Sequence, residues 1–414
     1  MRKTGITLAA AAFCAAALFD TAAWAAGPHE FTAQVDLRLT ASDSSLTSFR
    51  SGGLGLLRYD ASQNGVHIGP LLLDYNGPVT DTIRASVTAF ATADGDKNPI
   101  DLTEAMLEWR PVPVSMWRWR ARLGAFYPPI SMENRGIGWQ SIYTLSSSAI
   151  NTWIGEEVRA IGGELNLTAT GAGSGRSFDV GGVVGAYGWN DPMGVVIQKR
   201  GWAIHDRQTA LFGRLPDING IPGADGSYEL FREIDHRVGY YGGVEFTYLD
   251  RVVLRALHYD NRGDPGVHDT QEWAWLSRFN AYGLRVELPD AWTVIAQRLD
   301  GDTSVGVSAD GRGNHILGYW SDFLLVSKAI GQHRLSARYE QFHTTTERGA
   351  ARFDSHQDGE ALTLAYRLEL SDRWQMTLEG LRVNSTLRHR LRIAEPPNAI
   401  ESSVQLVARY SLTL

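Results

Sequence analysis

The feature that most limits what this chain can fold into is an alternation of apolar and polar residues, repeated in segment after segment. In Phe31 to Thr40 the residues Phe31, Ala33, Val35, Leu37 and Leu39 fall on one side, and Thr32, Gln34, Asp36, Arg38 and Thr40 on the other. The same split recurs in 83–92, 117–126, 238–248, 282–288, 335–339, 362–370 and 404–414. Successive side chains of a strand point to opposite faces, so these segments predict sheets that separate two environments. Many of the segments have about ten residues, enough for a tilted strand to cross a bilayer.

A soluble sandwich would also alternate, and three further features favour lipid outside. Connectors alternate in length, with tight links at 249–251, 289–291, 331–332 and 371–373 and long polar ones at 128–156, 191–235, 262–272, 303–314, 345–357 and 386–400. Outer-membrane barrels have short periplasmic turns and long external loops in that order. Aromatic residues gather where strands meet short turns: Trp109 and Trp117 flank one, Tyr248 precedes another, and Trp292 and Trp374 each open a strand. Such placement suits a membrane interface. Finally, the alternation of Val404, Leu406, Ala408, Tyr410, Leu412 and Leu414 predicts a last strand that pairs with the first and leaves no sheet edge.

Parity then predicts strands at 31–40, 65–75, 82–92, 100–110, 117–127, 157–169, 178–190, 236–249, 252–261, 273–288, 292–302, 315–329, 333–344, 358–370, 374–385 and 401–414. The expected fold is all-β, a closed antiparallel transmembrane β-barrel of sixteen strands in one domain, residues 26–414. Segment 191–235 is long enough to hide another hairpin, which would make eighteen. No apolar run reaches the ~18 residues of a membrane helix once residues 1–25 are set aside. Those residues are expected to be a signal peptide: Arg2 and Lys3 precede an apolar stretch from Gly5 to Phe19, and Ala23-Trp24-Ala25 offers small residues for cleavage. The expected location is the bacterial outer membrane, with outer-membrane lipid as partner. Cys14, the single cysteine, lies in the apolar stretch, so the mature chain would have no thiol chemistry. Its formal charge would change from −7 to −8, which argues against nucleic acid as a partner.

A barrel of this size is expected to enclose a polar, water-filled lumen. The polar register places Arg38, Arg84, Arg110, Arg118, Arg120, Arg122, Arg285, Arg334, Arg338, Arg367 and Arg409 inward, opposed by Asp36, Glu104, Glu108, Glu164, Glu245, Glu287, Glu340, Glu369 and Glu379. Arg118, Arg120 and Arg122 alternate with Trp117, Trp119, Ala121 and Leu123, which stacks three guanidinium groups on one inward strip ~14 Å long. They have two readings. Either they pair with neighbouring Glu104 and Glu108 and satisfy each other, or they set ion selectivity at a constriction.

The segment after that strand carries Gly124, Phe126, Pro129, Ser131, Glu133 and Asn134. In this it resembles porins of the phosphate-selective family, whose fifth strand ends in Gly-x-aromatic-x-x-Pro followed by a Ser-x-Glu-Asn-like motif. Glu104-Ala105, Arg334 to Glu340 and the terminal strand extend the resemblance over most of the mature chain. It implies that the third external loop, 128–156, folds into the lumen as a constriction and carries Glu133 and Arg135 there. It also implies a homotrimer. Loop 128–156 contains Arg135 and no lysine, so the lysine-rich charge associated with phosphate selection is missing.

The expected function is therefore a porin, a channel for passive diffusion of small hydrophilic solutes with a mild preference for anions. An adhesin or scaffold acting through its external loops is the alternative, and a barrel lipase a weaker one, since no Gly-x-Ser-x-Gly is present. No enzymatic activity and no cofactor are expected. The histidines are scattered without H-E-x-x-H spacing, which predicts no metal site. Glu156 and Glu157 are neighbours, and on a strand they would point to opposite faces and could not act as an acid/base pair.

Overall fold

The structure, a computed structural model, describes residues 28–414 except 93–99, 172–174, 216–217, 219–228, 271 and 351–353. The signal peptide expected at 1–25 lies outside the described residues. Eight strands lead up to the middle of the chain: β1 (Glu30–Ser42), β2 (Gly65–Pro78), β3 (Ile83–Ala91), β4 (Ile100–Trp109), β5 (Trp117–Phe126), β6 (Ala160–Ala169), β7 (Phe178–Gly188) and β8 (Gly239–Tyr248). Eight follow: β9 (Val252–Asp260), β10 (Leu276–Leu288), β11 (Trp292–Val305), β12 (His315–Ile330), β13 (His333–Arg348), β14 (Gln357–Glu369), β15 (Trp374–Leu387) and β16 (Asn398–Thr413).

Each strand pairs antiparallel with its neighbours in chain order, and β16 returns to β1 with Thr32 opposite Thr413 and Ser42 opposite Ser403. The sheet is closed at sixteen. Because β7 pairs directly with β8, segment 191–235 adds no hairpin to the wall, and the eighteen-strand alternative fails. Strand ends differ from the expected ones by a few residues, where the alternation gives way to turn or loop.

The outward face is apolar over its middle, with Leu123 65%, Val184 60%, Val244 62% and Leu364 54% exposed. Exposure of that kind around a whole barrel marks lipid contact. The wall is uneven in height. Strands β3 to β9 have 9 to 11 residues, whereas β10 to β16 have 13 to 16. On the tall side the outward face changes character at one row of paired residues. Leu324, Tyr339 and Leu362 stand side by side, and the next row toward the long loops is Asp322, Gln341 and Glu360.

Two short helices lie inside the barrel, α1 (Ala149–Glu157) and α2 (Val195–Arg200). They belong to long connectors that turn inward, and they bring most of the apolar core with them.

Candidate functional site

The interior divides into two levels. Toward the long-loop end, inward wall residues Tyr187, Tyr241, Tyr259, Phe279, Leu299, Tyr319 and Phe342 are buried against Trp153, Ile154, Val196, Ile197, Trp202 and Ile204 from the inserted connectors. Rings meet edge to face where Trp153 packs on Phe279 at 5.5 Å and on Tyr319 at 5.3 Å, and they stack where Tyr259 covers Phe279 at 4.8 Å. This corrects the expectation of a polar, water-filled lumen throughout: at this level the described residues form a packed core. More than one connector enters. Besides 128–156, residues 190–209 and 43–64 lie inside; Ile204 N–H donates to the Leu56 carbonyl at 2.9 Å, and Asp206 bridges Arg38 and Arg58 at 2.6 and 3.0 Å.

The inward course of 128–156 begins with the local sequence. Gly124 has φ +136, and a Cβ there would lie 2.2 Å from the Ala105 carbonyl oxygen, so only glycine fits. Pro128 and Pro129 then lack the N–H groups needed to continue the ladder. Arg255 on β9 holds the turned segment by donating to the Pro129 carbonyl at 3.0 Å, and Gln297 on β11 accepts from Met132 N–H at 3.0 Å.

The deepest anchor is a buried ionic cluster. Arg338 donates to Glu133 at 3.0 Å, to Glu340 at 2.9 Å and to the Ser146 and Ser147 carbonyls at 2.9 and 3.0 Å. Glu133 also accepts from Ser148 N–H at 2.7 Å, and Glu340 accepts from Ala149 N–H at 2.6 Å. These are N–H groups of the first turn of α1, which has no helical acceptors for them and carries positive dipole charge. Glu379 accepts from Leu145 N–H at 2.6 Å and from Ser146 Oγ at 2.6 Å. The wall carboxylates therefore hold the inserted loop by its backbone.

At the other end of α1, Glu157 accepts from Trp153 Nε1 at 2.5 Å and from Gly194 and Val196 N–H at 2.8 and 2.9 Å, which joins the two inserted connectors. Burial pushes its carboxyl up to about 7, against the pull of those donors. Glu156 pairs with Arg207 and accepts from Thr209. The two carboxylates belong to a helix terminus, which corrects their placement at a strand boundary. His205 accepts from Arg207 N–H through Nδ1 at 3.2 Å, an arrangement for the neutral ring, and burial lowers its pKa to about 4.

Toward the short-turn end the interior opens into a cavity of about 890 Å³. Its charged lining is Arg110, Arg118, Arg120 and Arg255 with Asp179, Glu245 and Asp250, Pro129 of the inserted loop covers it, and Pro111 to Pro113 stand at its mouth. The three arginines of β5 share this wall but differ in pairing. Arg122 makes two bonds to Glu164 on β6, at 2.9 and 2.7 Å. Arg120 reaches Glu164 at 3.5 Å and Glu108 at 3.9 Å. Arg118 is exposed to the cavity and has no carboxylate in salt-bridge reach among the described residues. Of the expected partners, Glu108 is engaged, mainly by Arg110 at 2.5 Å, but Glu104 is not, because it accepts from Tyr127 N–H at 3.2 Å.

The other residues singled out from sequence are dispersed. Arg84 stands opposite Glu108 in register. Arg334 donates to Ser327 at 3.1 Å and lies over the Tyr143 ring, and Arg135 is exposed beside Tyr143. Arg338, Glu340 and Glu133 face inward as parity requires, but their side chains are 0% exposed, so in this structure they touch loop and not solution. The reading of the polar register missed Glu157, Trp153 and Trp202. The one available signal was the apolar run Val195-Val196-Ile197 with Trp202 and Ile204, out of place in an external loop.

A serine and a histidine do meet, Ser355 Oγ and His389 Nε2 at 3.2 Å. Both are buried, and Nδ1 of the ring faces the Lys199 carbonyl at 3.1 Å, so the pair serves to dock the second connector.

No protein-family model and no curated protein matches the chain. Solved structures do. A loop L8 deletion mutant of OmpT, an outer membrane protein of Vibrio cholerae, gives a TM-score of 0.53 at 12% identity, covering 94% of this chain and 100% of that one. The outer membrane channel DcaP of Acinetobacter baumannii gives 0.53 at 11% identity, over 93% of this chain and 96% of that one. OmpF of Salmonella typhi, in complex with daunomycin, gives 0.52 at 8%, over 93% and 97%. At such identities the likeness is one of fold. The chain has the sixteen-stranded barrel of bacterial outer-membrane proteins, and its apolar outward band fits it to that membrane.

Proposed function

We propose that the protein is an outer-membrane porin for small hydrophilic solutes, with a mild preference for anions, whose inserted connectors restrict the passage. The observation that carries this reading is the cavity inside the closed wall, where Arg110, Arg118, Arg120 and Arg255 stand against Asp179, Glu245 and Asp250 and Arg118 has no carboxylate in salt-bridge reach among the described residues. A fixed guanidinium within a Debye length of ~8 Å of a passing ion is only partly screened at physiological salt. DcaP, described as a channel, shares the fold and supports the reading. Loop 128–156 acts here as the constriction, and residues 1–25 as an export signal removed on the way to the membrane. The oligomer belonging to this reading is a homotrimer. Phosphate has no special place in it, since the only basic residue of 128–156 is Arg135.

The test is reconstitution of the mature protein in a planar bilayer with a salt gradient. The expected result is discrete conductance steps with a reversal potential slightly on the anion side, larger at low ionic strength. A reconstituted barrel that conducts no ions, even after the inserted connectors are loosened, would sink the proposal and favour a scaffold acting through its loops.

A further inference from the structure

Above the Leu324–Tyr339–Leu362 row the tall wall carries polar side chains on its outer face, and in one place they converge. His343 on β13 is paired in register with Asp358 on β14, so the two side chains stand side by side. His356 precedes Asp358 by two residues and shares its side of the chain. Asp358 is bonded by both rings: His343 Nδ1 lies 2.6 Å from Oδ1, and His356 Nε2 lies 2.7 Å from Oδ2. The three ligand atoms all lie within 4.8 Å of one another.

We propose that His343, His356 and Asp358 form a binding site for a divalent transition-metal ion of the zinc class. Two imidazoles and one carboxylate are a borderline donor set that zinc accepts, and three protein ligands leave a fourth position for water or another small ligand. Ligands of a tetrahedral zinc at ~2.0 to 2.2 Å stand about 3.3 Å apart. The two nitrogen–oxygen separations, 2.6 and 2.7 Å, are shorter than that value, and small rotations of the rings and carboxylate would open them to it. On metal binding each ring gives up the proton that its ligating nitrogen now donates to Asp358, offers that lone pair to the metal and carries its remaining proton on the other nitrogen.

The surroundings hold the ligands in place. The His343 ring stacks on Trp320 at 5.8 Å. His356 N–H donates to Asp354 at 3.1 Å, and its carbonyl accepts from Arg388 N–H at 3.0 Å. Exposure of the side chains, 24%, 30% and 57%, leaves the ion a route from solution. On its own two strands one polar row, Gln341 and Glu360, separates the site from Tyr339 and Leu362, and Trp320 flanks His343 on β12. The same stretch of wall grips the inserted connector from within: Trp202 Nε1 donates to the His343 carbonyl at 3.0 Å, and Gln357 accepts from Trp202 N–H at 2.7 Å.

The experiment is calorimetric titration of the folded mature protein in detergent with zinc chloride, paired with the visible absorption of the cobalt(II) form. The expected result is one zinc per chain and a tetrahedral cobalt band, both lost in His343→Ala/His356→Ala. Loss of a supporting residue around a metal costs roughly 10- to 100-fold in affinity, so Asp358→Asn, which changes a ligand itself, should weaken binding at least ten-fold. Circular dichroism and slow migration of the unheated protein on gels establish that each variant is folded. Absence of zinc binding in the parent, or equal binding by the folded double-histidine variant, overturns the proposal.

Discussion

The two levels of the interior are built from the same wall and do opposite things with charge. Near the long loops, ionic groups such as Arg338, Glu133 and Glu340 are withdrawn from water and engaged by loop backbone and by each other. Near the short turns, Arg118 and Arg120 are left partly or wholly uncompensated beside a cavity. Inward position alone therefore does not make a residue part of the passage. What decides is whether a connector covers it.

The sharpest way to break the contrast is to remove the cation from the covered level. Arg338→Gln leaves two buried carboxylates facing each other, a loss of ~3 to 5 kcal/mol for a broken buried pair. Since the β13 ladder is untouched, the cost should appear as release of 128–156, read as faster proteolysis of that loop and a several-fold rise in conductance. A folded variant with unchanged proteolysis and conductance would mean that the cluster is not what holds the loop.

A second contrast lies within the covered level and is set by pH. The Glu157 carboxyl, raised to about 7, binds a proton more readily folded than unfolded, so its contribution is full at low pH and is lost as pH rises through 7. His205, lowered to about 4, must be neutral to stay buried, so its contribution is full above the ordinary histidine range and is lost as pH falls toward 4. The two oppose each other between their ordinary and shifted values. Glu157→Gln should therefore make the inserted connectors more sensitive to acid than the parent, and His205→Asn more sensitive to alkali, measured by hydrogen exchange of residues 195–206 from pH 4 to 8. Parallel pH profiles in the two variants would contradict this assignment.

The smallest effects are expected in the open level, where single exposed charges are worth little in stability. There the readout is reversal potential at low salt. Arg118→Gln should move it toward cations more than Arg122→Gln does, since Arg122 is already neutralised by Glu164. Replacing all three arginines should add little beyond Arg118 and Arg120. If the Arg122 variant shifts most, the pairing with Glu164 does not persist in the conducting state.

The wall was legible in sequence because two solvents write a period of two on every strand, from Phe31 to Leu414. The contents of the barrel were not. Residues 190–209 enter a space that the strands already enclose, and they need no periodicity of their own: α2 has six residues, and all but Lys199 are buried, Gln198 and Arg200 included. Tyr241, Tyr259 and Phe279 sit at inward positions that parity identifies, but listing only polar residues there hid the packed level. Glu133 was found through the motif that carries it, whereas its partners at the start of α1 are backbone groups, which no residue type announces. The histidine–aspartate cluster also escaped, because its members come from two strands whose register becomes visible only when the sheet is closed.

The row of Leu324, Tyr339 and Leu362 has a consequence for how this protein can vary over generations. One row of the sheet, two residues along each strand, separates two sets of rules. Above, at Gln341 or Glu360, a lineage can exchange polar side chains as freely as on any wet surface, and recognition by outside agents can be evaded there at little cost. Below, at Leu364, a lysine or arginine would cost up to ~2 to 4 kcal/mol at the bilayer midplane, and drift is confined to apolar exchanges. Neighbouring strands should therefore diverge at the same level, drawing the membrane's edge as a line of changing tempo around the tall wall.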